Sequence, residues 1–310
     1  METGFRFGVG QQYTDFGTLK LNGETVSNPA GEFLHSSITQ LFAGYNFHPR
    51  AGLQVNLPII VRSFQRVQTG GVQDGTVDGI GDMSLIGNFR ALSYVDTVRV
   101  AHLVLIGGLK FPTGDPALLS EELDPPTCIH FPDPATCGSR FVRLPGGVQP
   151  HHTSEAPSGV HGHDLALGSG SVDGIVGAQA FGSWQRAFAT AGVQYIARTV
   201  GAFGYQYAND LLFETGPGAY LLLGDNWLGQ AYALGAQAVF SGETKGNDTL
   251  DGVKEGDTAI TALYLGPAFD FTWGTHLAAE IGADLPVLQH NTGLQAVPDY
   301  RLRGGITWRF

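Results

Sequence analysis

The residues of this sequence able to do chemistry fall into three groups. The first is a set of charges at alternate positions inside otherwise apolar or glycine-rich runs: Arg6, Arg62, Asp82, Arg90, Glu214, Asp270, Glu280, Asp284, Arg301 and Arg303, with Arg309 in the same phase. Charges on one face of a strand either pair to brace the fold or line a polar path and select what passes along it. The second group is a histidine-bearing stretch with His130, His151, His152, His161 and His163 beside Glu155 and Asp164. Of these, His151, His152, His161 and His163 are candidate ligands for zinc, copper or nickel, with a solvated loop as the plain alternative. The third is His35-Ser36-Ser37. It offers a nucleophile and a base for acyl transfer, but no residue to orient the base is evident.

Those side chains need elements to hold them, and the pattern that predicts the elements is alternation. From Tyr300 to Phe310 the even positions are Tyr, Leu, Gly, Ile, Trp and Phe, while the odd positions carry Arg301, Arg303, Gly305, Thr307 and Arg309. Successive strand side chains face opposite ways, so one face is apolar with aromatics at both ends and the other is cationic. A membrane β-barrel needs this arrangement: lipid outside, water inside and aromatics at the two interfaces. Similar stretches recur along the chain and predict twelve strands, joined alternately by short turns and longer loops. Gly70-Gly71 and Asp74-Gly75 mark the second long loop, and a charged loop is expected from Gly242 to Asp257.

The fold class expected is therefore all-β, an up-and-down antiparallel transmembrane barrel of about twelve strands with periplasmic termini, forming one domain over residues 1–310. A soluble β-sandwich is the alternative, and it fits poorly with so many long apolar faces free of charge. In strand order Arg62 is expected across from Asp82 and Asp284 near Arg303. The longest irregular stretch, from Pro112 to about Gly168, is an extracellular or lumen-inserted loop, with Lys110 and Asp173 at its two roots. Connections usually run ~4–6 residues, so one of this length is either functional or disordered. Cys128 and Cys137 within it are expected to form a small disulfide in an oxidising compartment, with free thiols as the alternative.

Composition narrows the classes further. Charged residues make up 15% of the chain, the net charge is −11, and there are 45 glycines. No apolar run reaches the ~18 residues of a helical span, which leaves strands as the means of crossing a bilayer. Without a basic stripe to hold phosphates, nucleic acid is not expected as a partner. No cofactor is expected. No signal peptide is visible, and the opening reads as a mature chain with an added start residue, so export is inferred.

Three stretches resemble the putative MetA-pathway-of-phenol-degradation family of outer-membrane proteins. They are VDGIGDMSLIGNFRAL with Gly79, Gly81 and Asp82, GLKFPTGDP with Pro112, Thr113 and Gly114, and LGSGSVDGIVGAQ with Gly168, Gly170, Ser171 and Asp173. Gly174 departs from the Pro expected there. The resemblance implies a bacterial outer-membrane channel associated with hydrocarbon or aromatic-compound catabolism. Phe310 also resembles the terminal signal by which the outer-membrane assembly machinery recognises barrels.

The expectation is a non-enzymatic channel for passive diffusion of small solutes, apolar or aromatic ones included. Its partners would be the lipid bilayer, the solute and the assembly machinery. The alternative is a plugged structural or binding barrel whose His-rich loop takes a partner or metal. A membrane-embedded lipid hydrolase is a third reading.

Overall fold

The computed structural model describes residues 3–68, 71–123, 158–225 and 230–310, together with the backbone of Val148–Gln149. Twelve staves form the wall: β1 (Gly4–Phe16), β2 (Phe33–His48), β3 (Ala51–Gln68), β4 (Ser84–Val95), β5 (Arg99–Lys110), β6 (Asp173–Trp184), β7 (Ala187–Ala197), β8 (Asp210–Asp225), β9 (Ala231–Lys245), β10 (Ile260–Trp273), β11 (Leu277–Asn291) and β12 (Tyr300–Arg309). Each pairs antiparallel with its sequence neighbours. β1 pairs with β2 on one side and with β12 on the other, which closes the barrel.

The alternation in the sequence is realised as two faces. Ile281, Leu285 and Val287 on β11 are 64%, 57% and 58% exposed, while Asp284 between them is 3% exposed on the inner face. Aromatics band the short-turn end, where Phe5 meets Tyr45 at 4.6 Å between ring centres and Phe7 meets Phe310 at 6.0 Å. A second band near the long-loop end includes Tyr13 and Tyr300 at 6.0 Å. Those are the two interfacial girdles of a transmembrane barrel.

Two stretches expected to be loops are strand. Gly71–Ile80 pairs with the outer half of β3, from Ile59↔Ile80 to Gln68↔Gly71. Its Gly and Asp content hides the period-two signal, and pairing to β3 supplies what propensity does not. β4 consequently meets only the inner part of β3, from Ala51↔Phe89 to Asn56↔Ser84. Where the partner changes, Gly81 N–H donates to the Pro58 carbonyl at 2.9 Å. Similarly, β9 runs on to Lys245, so Gly242 and Glu243 belong to the wall and not to a loop.

The conventional apolar core lies at the long-loop end rather than in the wall. Leu34 and Phe64, pointing inward from β2 and β3, pack with Val160 and Leu165. Leu119, Ala166 and Tyr205 form a second cluster beside it. Fully burying such a side chain is worth roughly 1.5–3 kcal/mol, so these contacts hold the loop segments in place.

Candidate functional site

The long loop leaves β5 and returns to β6 through two described arms. The outgoing arm forms a 3-10 turn over Ala117–Leu123, and the returning arm a helical turn over Gly162–Leu165. Both are tied to side chains on the inward face of β3. Arg62 donates to the Ala166 carbonyl at 2.7 Å, and Arg66 grips Glu121 with two hydrogen bonds of 2.8 and 3.1 Å. Glu32 accepts from Ser158 Oγ and from Gly159 N–H, and Gly159 O accepts from Ala296 N–H at 2.7 Å.

The three stretches that carry the family resemblance meet at the root of this loop. Asp82 accepts from Gly114 N–H at 3.0 Å and from Ser169 N–H and Oγ at 2.9 and 2.8 Å. Thr113 Oγ1 donates to the Gly81 carbonyl, and Ser171 Oγ donates to Asp173. Lys110 lies 2.6 Å from Asp82 and 2.8 Å from Asp173, and Arg198 extends the chain of charges from Asp173 to Asp210. Gly114 and Gly168 touch backbone to backbone; a Cβ on Gly168 would come within 2.5 Å of Gly114. The expected Arg62–Asp82 pair is therefore not formed. Arg62 stands opposite Val77 of the added strand, whereas Asp82 follows the partner change and turns to Lys110.

Deeper in the barrel the inner face carries a belt of ion pairs. Arg303 contacts Glu214 at 2.5 Å and Asp284 at 3.4 Å. Arg301 contacts Glu243 at 3.3 Å and lies over the Tyr264 ring, whose hydroxyl donates to Glu243. Asp270 and Glu280 stand directly opposite each other on β10 and β11. A cavity of 300 Å³ opens beside this belt, walled by Glu214, Glu243, Asp284, Arg301 and Arg303 among others. A larger one of 610 Å³ occupies the short-turn half, and Arg6, Arg90 and Arg309 line it. The two cavities share Ile106 and Gln179, and no described residue of the long loop lines either. Glu243 and Arg309 complete the charged lining, and reading strand parity through Lys245 finds Glu243.

His161 and His163 come together with Asp164, offering ligand atoms within 4.8 Å of one another, while His151 and His152 lie outside the described residues. Their rings stack at 5.3 Å and are ringed by carboxylates. His163 contacts Glu122 at 3.0 Å and Asp164 at 3.5 Å, and His161 contacts Asp164 and Asp257 at 3.7 and 3.6 Å. Burial alone would push the His163 imidazolium toward losing its proton, but Asp164 and Glu122 outweigh it and raise its pKa to about 10. Burial would likewise raise Asp164, yet His163 and His161 hold it below the usual carboxylate range. This arrangement makes an ionic latch between the two loop arms. Cys128 and Cys137 also lie outside the described residues.

The third group disperses. His35 faces outward, stacked on Phe33 at 4.5 Å and paired with Asp15 at 3.1 Å. Ser37 accepts from Gln11 Nε2 at 2.8 Å, and Gln11 in turn accepts from Thr39, so these outward polar groups satisfy one another. Ser36 is buried on the other face. Nothing joins His35 to either serine as a base to a nucleophile.

No family model matches the sequence, and no curated protein matches it. Among solved structures, the fold is similar to the COG4313 outer membrane channel from Pseudomonas putida F1, with a TM-score of 0.55 at 12% identity over 100% of this chain and 97% of that one. The chain has the fold of an outer-membrane β-barrel. The translocator domain of the autotransporter NalP from Neisseria meningitidis is a more distant neighbour, with a TM-score of 0.43 at 13% identity over 100% of this chain and 90% of that one. A Pseudomonas aeruginosa FadL homologue stands further away, at 0.37 and 9% over 100% and 91%. At these identities the likeness is one of fold; in barrels of this class generally the short turns face the periplasm and the long loops the outside.

Proposed function

We propose that this barrel is a channel for passive diffusion of small solutes, narrowed at its extracellular mouth by the loop over residues 112–168 acting as a plug. The supporting observation is the pair of adjoining lumen cavities, 610 and 300 Å³, that lie on the short-turn side of the loop arms. Their combined walls are charged and amide-bearing, with Ile86, Val104 and Ile106 giving one apolar strip. A wet lumen with such a strip suits small solutes with an apolar or aromatic body. The sequence resemblance to the phenol-degradation family and the fold of the COG4313 channel point the same way.

Liposome swelling tests it. Deleting residues 117–159 should raise the uptake rate of small sugars and of benzyl alcohol while the barrel keeps its heat-modifiable gel mobility. Equal rates for deletion and parent would remove the plug from the reading. The packed apolar clusters under the loop favour a second reading, a permanently closed structural barrel. That reading requires the absence of stable single-channel openings in the parent protein.

A further inference from the structure

Most lumen-facing cations in the outer and middle barrel are matched to carboxylates, Arg62 on the Ala166 carbonyl being the exception. Arg66 has Glu121, Lys110 has Asp82 and Asp173, Arg198 has Asp173 and Asp210, Lys245 has Asp248, Arg301 has Glu243, and Arg303 has Glu214 and Asp284. The periplasmic cavity breaks this rule. Arg6, Arg90 and Arg309 all line it, and among the described residues no Asp or Glu side chain does and none of the three forms an ion pair. The Nε atoms of Arg6 and Arg90 are buried without a hydrogen-bond partner. Arg6 and Arg309 are also directly opposite across the β1–β12 seam, an arrangement in which like charges repel.

The wall is shaped to keep Arg6 there. Its other cross-strand partner is Gly44, and a Cβ on Gly44 would come within 2.7 Å of Arg6 Nε. A larger residue would displace the guanidinium. Ile86, Val104 and Ile106 supply the apolar strip of the same cavity, Val104 lying beside Arg90 on the neighbouring stave. The nearest acidic pair, Asp270 and Glu280, lies at the level of Gly305, deeper in the barrel than Arg309.

We infer that the periplasmic cavity is a binding site for a small organic carboxylate, its anionic end held by Arg6 and Arg309 with Arg90 further round the wall, and its apolar body against Ile86, Val104 and Ile106. Guanidinium groups take carboxylates through paired hydrogen bonds, and an anion here relieves the repulsion between the opposed arginines. A volume of 610 Å³ falls in the range of small-molecule sites and leaves room for a single-ring acid with water. The inference deepens the channel reading by naming the class of solute, and it rests on that reading only for how the ligand arrives.

Binding is therefore measured without conduction. The full-length barrel, folded in detergent micelles, is titrated calorimetrically with benzoate, with benzyl alcohol as the uncharged comparator and inorganic phosphate as the anion lacking an apolar body. Saturable benzoate binding is expected, weakened about tenfold in Arg6→Gln and in Arg309→Gln, which is the scale of one charge-assisted hydrogen bond. Arg90→Gln, on a different stave, is measured alongside in case a seam variant fails to fold, and heat-modifiable mobility is checked for each. Benzoate affinity unchanged in the glutamine variants, or matched by benzyl alcohol, overturns the arginine site. Phosphate binding as tight as benzoate overturns the organic carboxylate. A parent protein that binds benzoate yet shows no openings in planar bilayers sinks the channel and leaves the site standing, whereas openings without binding do the reverse.

Discussion

Lys110 and Asp173 face each other directly across β5 and β6, with 2.8 Å between Nζ and Oδ2. They end and begin the staves between which the long loop is strung, so one ion pair pins both roots. Asp173 is fully buried and Asp82 shares the same ammonium. Removing the cation leaves two carboxylates in a water-poor knot. Lys110→Met should cost about 3–5 kcal/mol, the usual result of stripping one partner from a buried pair. Reversible urea unfolding in micelles measures this, and Lys110→Arg should recover part of the loss. A methionine variant as stable as the parent would mean that Arg198 with the serine and backbone donors suffices.

The latch at His163 makes loop docking depend on pH. Its folded pKa of about 10 lies above the ordinary imidazole value. Its contribution is therefore complete below that ordinary value, near 6.5, and declines as pH rises through about 10. Asp164, held low, contributes above the ordinary carboxylate pKa, and its share is lost only as pH falls through its depressed value. Amide exchange across residues 158–168 should accelerate, beyond its intrinsic base dependence, between pH 7 and 10. His163→Gln should flatten that excess. A parent profile with no excess would remove the latch.

Leu285 and Gln54 sit on opposite faces of the wall. Leu285 is 57% exposed to the bilayer side, and Gln54 lines the periplasmic cavity, where it bonds Asn56. Leu285→Arg should destabilise by roughly 2–4 kcal/mol near the bilayer midplane. Gln54→Arg should cost less, although it adds a cation beside Arg6 and Arg90. Unfolding in lipid bilayers that ranked them the other way would contradict the assignment of faces.

Phe310 packs on Phe7 and Trp308 at the seam where β1 meets β12, and its N–H donates to the Phe5 carbonyl at 2.9 Å. Phe310→Asp puts a charge into that interfacial girdle next to the last ladder bond. We expect a loss of assembled, heat-modifiable protein in the membrane fraction with little change in the properties of what does assemble. Parent-like membrane levels would count against a role for Phe310 in assembly.

Much of this barrel was legible in the sequence by itself. Alternation requires only that a strand point successive side chains to opposite faces, so twelve staves, their lipid and lumen faces and pairs such as Asp284 with Arg303 follow from local order. Breaks in that pattern were less legible: the Gly and Asp of Gly71–Ile80 read as loop, and Glu243 was lost with the end of β9. Tertiary structure alone decided the long-range matters. Asp82 turned from Arg62 to Lys110 because a strand inserted itself into the ladder. Three glycine-rich motifs spread along the chain converged on one knot. Most lumen cations found carboxylate partners, Arg62 found a backbone carbonyl, and the three around the short-turn cavity found neither among the described residues. Parity gives each side chain a direction but no partner across the lumen. Partners are set by register, barrel closure and the path of the loop, which bring together residues that have no regular spacing in the chain.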